Sequence, residues 1–186
     1  MGKKAFTLIE LVMIMVIIGI LSVSGAWLMV YFVQDSIYIP NQLNTDLVAN
    51  EALKIMIEGD SSTTGLRFSQ GVTAIAANSI TFIGTDQTGQ PQSITYELDT
   101  TKNILYRSIN GGADTQIPYY PGVNIFPKGG NTPLFTYYDA TGNVTTTAAN
   151  VKMIAINLIA QTGSGSFNNW QGQSTQSTCV TIGPPL

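Results

Sequence analysis

A single carboxylate, Glu10, opens a stretch that is otherwise free of charge: from Leu11 to Gln34 there is no Asp, Glu, Lys or Arg. A carboxylate costs roughly 2.5–3.5 kcal/mol at the centre of a membrane and less near its surface, so Glu10 marks a functional position whose partner has to be found. Few other groups in the chain can do chemistry. Histidine is absent, which removes the commonest general base and the commonest nitrogen metal ligand, and with them Ser-His triads and His-rich zinc sites. Cys179, the one cysteine, has no disulfide partner within the chain and no histidine to activate it, so it reads as a buried or merely tolerated thiol.

The remaining constellations are weak. Asp139, Thr141 and Asn143 carry oxygen at alternate positions, as calcium loops do, but the glutamate that closes an EF-hand loop is missing, and a plain turn is the simpler reading, as it is for Asp86. Gly163, Ser164 and Gly165 lack the third glycine, the lysine and the following helix of a phosphate loop. Glu97 with Glu58, or Glu97 with Asp99, could be set up as an acid pair for glycoside hydrolysis, but nothing in the sequence makes them converge. Tyr119, Tyr120, Tyr137 and Tyr138 read as core and rim residues. The 8 Lys plus Arg are scattered, so no nucleic-acid partner is expected. No catalytic residue, metal or cofactor is expected, and the chain does not read as an enzyme.

What must position Glu10 is the apolar segment behind it. Leu11 to Val33 would span about 35 Å as a helix at 1.5 Å per residue, enough to cross a bilayer core of about 30 Å. Lys3 and Lys4 precede it, while Asp35 and Asp46 come after it, which places the N-terminus in the cytoplasm and exports the rest. A secretory signal peptide cut after Ser24, Gly25 and Ala26, before Trp27, is one reading of this segment, and a plain anchor is another. Both leave Glu10 without a purpose.

A third reading gives it one. The run Lys3, Lys4, Ala5, Phe6, Thr7, Leu8, Ile9, Glu10, Leu11 resembles the processing site of type IV prepilins and type II secretion pseudopilins. The resemblance implies a leader of residues 1–5, cut between Ala5 and Phe6 by a prepilin peptidase that also methylates the new N-terminus at Phe6. It also implies an assembly role for Glu10, paired with the Phe6 α-amine of its own chain or of a neighbouring subunit. The physics agrees: Phe6 and Glu10 are four residues apart on one helical face, and a charge pair is tolerable in apolar surroundings where a lone carboxylate is not. Two departures stand out: Ala5 where the family usually has Gly, and Trp27 near the place where major pilins often carry a proline. Gly19 and Gly25 are small sites where neighbouring helices can approach closely.

Beyond the membrane, Leu43, Leu47, Val48, Ala52, Ile55 and Met56 recur at steps of three and four, so Asn41 to Glu58 reads as helix, ended by Gly59 and interrupted or kinked near Pro40. Past Gly59 the pattern changes to β. Strands are expected at Ser79–Ile83, Ser93–Leu98 and Asn103–Ile109, the last two as a hairpin across Asp99 to Asn103. Further strands are expected at Val123–Phe126, Leu134–Tyr138 and Val151–Ala160, and a weak one at Thr178–Ile182 within a Gly-, Ser-, Thr-, Gln- and Asn-rich tail. Asp86 to Gly89 and Asp139 to Gly142 carry type I turn signatures, each reversing the chain between antiparallel strands.

The expected fold is α+β: a long N-terminal helix, transmembrane in its first half, packed on an antiparallel β-sheet. Its segments are a leader at 1–5, a transmembrane helix at 6–33, the exported half of the helix at 34–59 and a β-rich domain at 60–186. The strand order is similar to that of J-type minor pseudopilins and related minor pilins. The resemblance implies a structural subunit of a type II secretion pseudopilus, a minor subunit near the tip, with a minor pilin of a type IV pilus as the alternative and a membrane-anchored binding or enzymatic domain as a remote one. Its implied partners are other pilin or pseudopilin subunits, the prepilin peptidase and an inner-membrane assembly platform. Only 10% of residues are charged and the formal net charge is -3. A neutral polar surface of this kind limits repulsion between subunits packed side by side.

Overall fold

A computed structural model describes residues 7–118, 120, 122–128, 132–162 and 171–183. One helix, α1, runs unbroken from Leu8 to Glu58. Thr7 begins it: its hydroxyl accepts the Glu10 N–H while the Glu10 carboxylate reaches back to the Thr7 N–H, a reciprocal cap that satisfies two orphan donors. Gly59 ends it, with its N–H on the Ile55 carbonyl and a φ of 93°. A Cβ at Gly59 would sit 2.1 Å from the Thr63 carbonyl oxygen, so only glycine fits this reversal.

Pro40 lies inside the helix and does not interrupt it, contrary to expectation. An interior proline costs about 3 kcal/mol. Burying Val48, Leu53 and Met56 beyond it, each at 9% exposure or less, contributes roughly 1.5–3 kcal/mol apiece and outweighs that cost. The buried stripe is only in part the one expected: Val48, Ala52 and Met56 belong to it as expected. It consists of Thr45, Val48, Ala49, Ala52, Leu53 and Met56, whereas Leu43 and Leu47 are 57% and 51% exposed. At roughly 100° per residue these two leucines fall on the opposite side of the helix from the stripe.

Among the described residues, nine strands form two antiparallel sheets rather than one. β1 (Gly71–Ile75), β2 (Ser79–Thr85), β3 (Pro91–Asp99), β4 (Ile104–Ile109) and β5 (Thr115–Gln116) lie in chain order in the first. β1 and β5 escaped the sequence reading because one is bulged at Thr73 and the other has two residues. The β3–β4 hairpin forms as expected, pairing Asp99 with Ile104, and Ile94, Tyr96 and Leu98 face the core while Thr95 and Glu97 do not.

The second sheet is built on β8 (Met153–Thr162), whose even-numbered residues are all buried. β9 (Gln173–Thr181) pairs with β8 along its whole length. β6 (Val123–Pro127) and β7 (Phe135–Tyr138) pair with opposite halves of β8, so they lie end to end along its other edge. The tail expected to hold one weak strand thus supplies a nine-residue strand. Burial along α1 is against β8, β9, β6 and the 3-10 turn Leu66–Phe68. Close approach to β9 depends on Gly172, where a Cβ would come within 2.4 Å of the Asn41 backbone.

Two long-range contacts tie the helix end to the first sheet. The Tyr96 hydroxyl donates to the Ile55 carbonyl at 3.0 Å. Arg107, 8% exposed, donates from Nη1 to Asp60 Oδ2 at 2.7 Å. Asp60 also accepts the Ser62 and Thr63 N–H groups. Burial pushes its carboxyl up, but the hydrogen bonds from Ser62, Arg107 and Thr63 and the Arg107 charge outweigh burial and leave it below the usual range.

Candidate functional site

The residues expected to carry function cluster where α1 begins. Ala5 and Phe6, the expected cleavage and methylation positions, lie outside the described residues, as does the leader. Glu10 lies within the first turn, exposed, its Oε2 accepting both the Thr7 N–H and the Thr7 hydroxyl at 2.9 Å. In the uncut chain the carboxylate therefore has a local partner. Thr7 is the residue missed by the sequence reading, although Thr7-Leu8-Ile9-Glu10 ahead of an apolar run is a legible capping-box signature. That arrangement holds Glu10 against the helix N-terminus, where the positive end of the backbone dipole also favours a negative charge.

Behind Glu10, the helix presents apolar side chains on every side. Large hydrophobics from Leu8 to Val33 are all exposed, and Ser24 Oγ is satisfied within the helix, donating to the Ile20 carbonyl at 3.0 Å. Trp27 and Tyr31 stack along the helix with ring centroids 5.8 Å apart. A helix apolar all round must be covered all round, by lipid or by other helices, and this one is long and apolar enough to cross a membrane. Leu43 and Leu47 continue the exposed apolar surface past Asp35, on the side away from the sheet.

The other candidates resolve into structural roles. Asp86 and Asp139 make twin turns: each Oδ1 accepts the N–H and hydroxyl of the Thr two residues on and the N–H of the residue four on. These hydrogen bonds, led by the Thr88 and Thr141 hydroxyls, hold both carboxyls below their usual range. The first turn joins β2 to β3; the second returns the chain only as far as a single bridge between Tyr138 and Val144. Glu97 and Asp99 line one open cavity of about 430 Å³ with Lys102, Tyr106 and Asp114, and Glu58 is not part of it. The Lys102 N–H leads the contacts that hold Asp99 low, the opposite of what a general acid requires. Among the described residues no group of three or more His, Cys, Asp or Glu is placed to hold a metal.

Tyr137 is a core residue, 6% exposed, its hydroxyl 2.8 Å from the Ala76 and Ser79 carbonyls, and burial pushes its pKa up. Tyr120 and Tyr138 are half-buried, and Tyr119 lies outside the described residues together with Gly163, Ser164 and Gly165. Cys179 is exposed on β9, so it is tolerated rather than buried.

One long N-terminal helix packed against antiparallel sheets is the α+β arrangement of pilin-like subunits. Residues 1–26 match the family model of the prokaryotic N-terminal methylation motif. The match supports a type IV pilin-like structural subunit, processed by a prepilin peptidase and assembling with other pilin subunits; the single apolar N-terminal helix fits membrane anchoring. No curated protein and no solved structure matches the chain.

Proposed function

We propose that this chain is a minor, tip-proximal subunit of a type II secretion pseudopilus. It enters the inner membrane with its N-terminus in the cytoplasm and its β-domain in the periplasm. A prepilin peptidase cuts between Ala5 and Phe6 and methylates Phe6, and the subunit then assembles through its N-terminal helix. The observation that carries this reading is a methylation motif at residues 1–26 leading into a helix exposed and apolar on every side, with one carboxylate at its mouth. The order of β3, β4, β6, β7 and β8 is similar to that of J-type minor pseudopilins and of related minor pilins, so it supports a minor subunit, with a minor pilin of a type IV pilus as the alternative.

Cleavage removes Lys3 and Lys4 and creates a positive α-amine at Phe6. Glu10, held at the helix start by Thr7, pairs in this reading with that amine or with the amine of a neighbouring subunit, which makes it tolerable in an apolar filament core. Intact mass tests the processing: a methylated Phe6 start is expected, and a mature chain beginning at Trp27 or retaining Lys3 and Lys4 would overturn it. Glu10→Ala is expected to leave cleavage intact and to lower incorporation into the filament at least tenfold. Affinity isolation under native conditions, with identification of the co-assembled subunits, separates the pseudopilus from the pilus.

A further inference from the structure

The outer edge of β9 is an open hydrogen-bonding ladder. At its start, Gln173 donates its N–H to Gln42 Oε1 at 3.1 Å, and the Gln42 amide donates to the Gln173 carbonyl at 3.0 Å. The backbone groups of Gln173 therefore face away from β8. The even-numbered neighbours face toward it: the Gly172 carbonyl accepts the Thr162 N–H, and the Ile182 N–H donates to the Lys152 carbonyl. Pairing between Gln161↔Gln173 and Met153↔Thr181 is unbroken, and backbone direction alternates along a strand. Thr175, Ser177, Cys179 and Thr181 thus direct their N–H and C=O groups outward, with no hydrogen-bond partner among the described residues.

Edge strands are normally protected by charge, proline, bulges, shortness or a covering segment. Among the described residues, the outward run from Thr175 to Thr181 has none of these. The chain's other edges are protected. β1 is bulged and β5 has two residues. On β6 the Ile125 N–H already donates to the Asn103 carbonyl, and β7 is covered by Ala77 and Thr145. Gln42 shows how the open edge is satisfied: its carboxamide supplies one donor and one acceptor, in the manner of a single residue of a neighbouring strand.

We propose that this edge takes up an extended strand from a different polypeptide of the filament, adding it to the β8–β9 sheet. The partner is recognised by its backbone over about four residues, with small, uncharged side chains to match Thr175, Ser177, Cys179 and Thr181. A second copy of this chain is a poor fit, since its described residues offer no other long open edge. Antiparallel pairing of β9 with itself also fails on polarity. β9 starts beside Gln42 and reaches the Leu66–Phe68 turn, which is tied to Glu58, about 24 Å further along the helix. β9 therefore runs along α1, and an antiparallel pair would point two N-terminal helices in opposite directions, which two chains anchored in one membrane cannot do. Parallel self-pairing gives no closed two-fold, because ladder positions facing each other in parallel strands differ by one residue.

The inference rests on the reading of this chain as a filament subunit only for where the partner is found. Its test uses the full-length chain co-expressed with the other subunits of its filament. Ser177→Pro removes one outward N–H and places a ring in the path of an incoming strand, while leaving the β8 ladder intact; proline is tolerated on an edge facing outward. Ser177→Ala loses the same contact to Asn157 but keeps the N–H. Expected is at least a tenfold loss of S177P from the assembled complex, with S177A at the wild-type level and both variants melting within a few degrees of wild type. Hydrogen exchange supplies the second readout: the amides of residues 175, 177, 179 and 181 exchange freely in the isolated protein in detergent and become protected in the assembly. Normal incorporation of S177P, or amides that stay unprotected in the assembly, would overturn the proposal. Should S177P melt far below wild type, the exchange measurement on the unmutated protein decides alone. Intact mass of the same samples reports processing separately, so failure of the filament reading is distinguishable from failure of this one.

Discussion

Replacing Arg107 by Met should destabilise the β-domain by about 2–3 kcal/mol, less than the roughly 3–5 kcal/mol for breaking a fully buried ion pair. The discount has a structural origin. Arg107 is 8% exposed but the Asp60 side chain is 28% exposed, and Asp60 keeps the Ser62 and Thr63 N–H groups when the guanidinium is gone. For a domain of this size about 4 °C accompanies each kcal/mol, so the melting temperature should fall by roughly 8–12 °C at pH 7. Near-ultraviolet circular dichroism of the full-length protein in detergent follows the β-domain through the tyrosines on β3, β4 and β7, while Trp27, Tyr31 and Tyr38 of α1 give a signal common to wild type and variant. The pH dependence is the sharper test. The carboxyl of Asp60 is depressed in the folded protein, so its contribution is present above the unfolded value of about 3.9 and is lost as pH falls through the lower folded value. The gap between wild type and variant should be full at pH 5 and above and should close below pH 4. A shift under about 2 °C at pH 7, or a gap of the same size at pH 3 as at pH 7, would refute the assignment of the pair as a clamp between the helix end and the first sheet.

Met56→Ala, at a fully buried position, should cost about 2–5 kcal/mol, whereas Leu47→Ala should leave the melting temperature of the isolated protein within about 2 °C and lower filament incorporation; equal thermal effects would mean that the helix is rotated relative to the sheet. Thr7→Val keeps the shape of the cap but removes its hydroxyl, costing about 1 kcal/mol, and should be visible as faster exchange of the Glu10 amide with no change at Met56. Asp139→Ala should loosen its turn and lower the urea midpoint, and added calcium should not alter the wild-type midpoint; stabilisation by calcium would sink the reading of that loop as a plain turn.

How much was legible depended on how local the governing interaction is. The Asp99 to Asn103 hairpin and the Asp86 and Asp139 turns close through bonds within a few residues, so their residue types announce them. The two turns have the same local geometry, yet one joins two long strands and the other ends at a single bridge, a difference set by what β7 finds on β8 rather than by the turn. β9 was hidden for the same kind of reason. Its Gln, Ser and Thr residues have little apolar alternation, and they become a strand because β8, apolar on its buried face, offers a free edge under α1.

Residue order alone determined the N-terminal half of the story: a methylation motif is read along the chain, and a run of apolar residues behind one carboxylate gives a helix long and apolar enough to cross a membrane whatever lies beyond it. Tertiary structure decided which side of that helix the domain occupies. Leu43 and Leu47 match the helical period as well as Val48 and Ala52 do, and periodicity cannot say which of two apolar stripes is covered. Packing chose the one whose small residues, Thr45, Ala49 and Ala52, let β8 and β9 come close. That left the leucines outside, continuous with the exposed apolar surface of the N-terminal half of α1, and the free edge of β9 open.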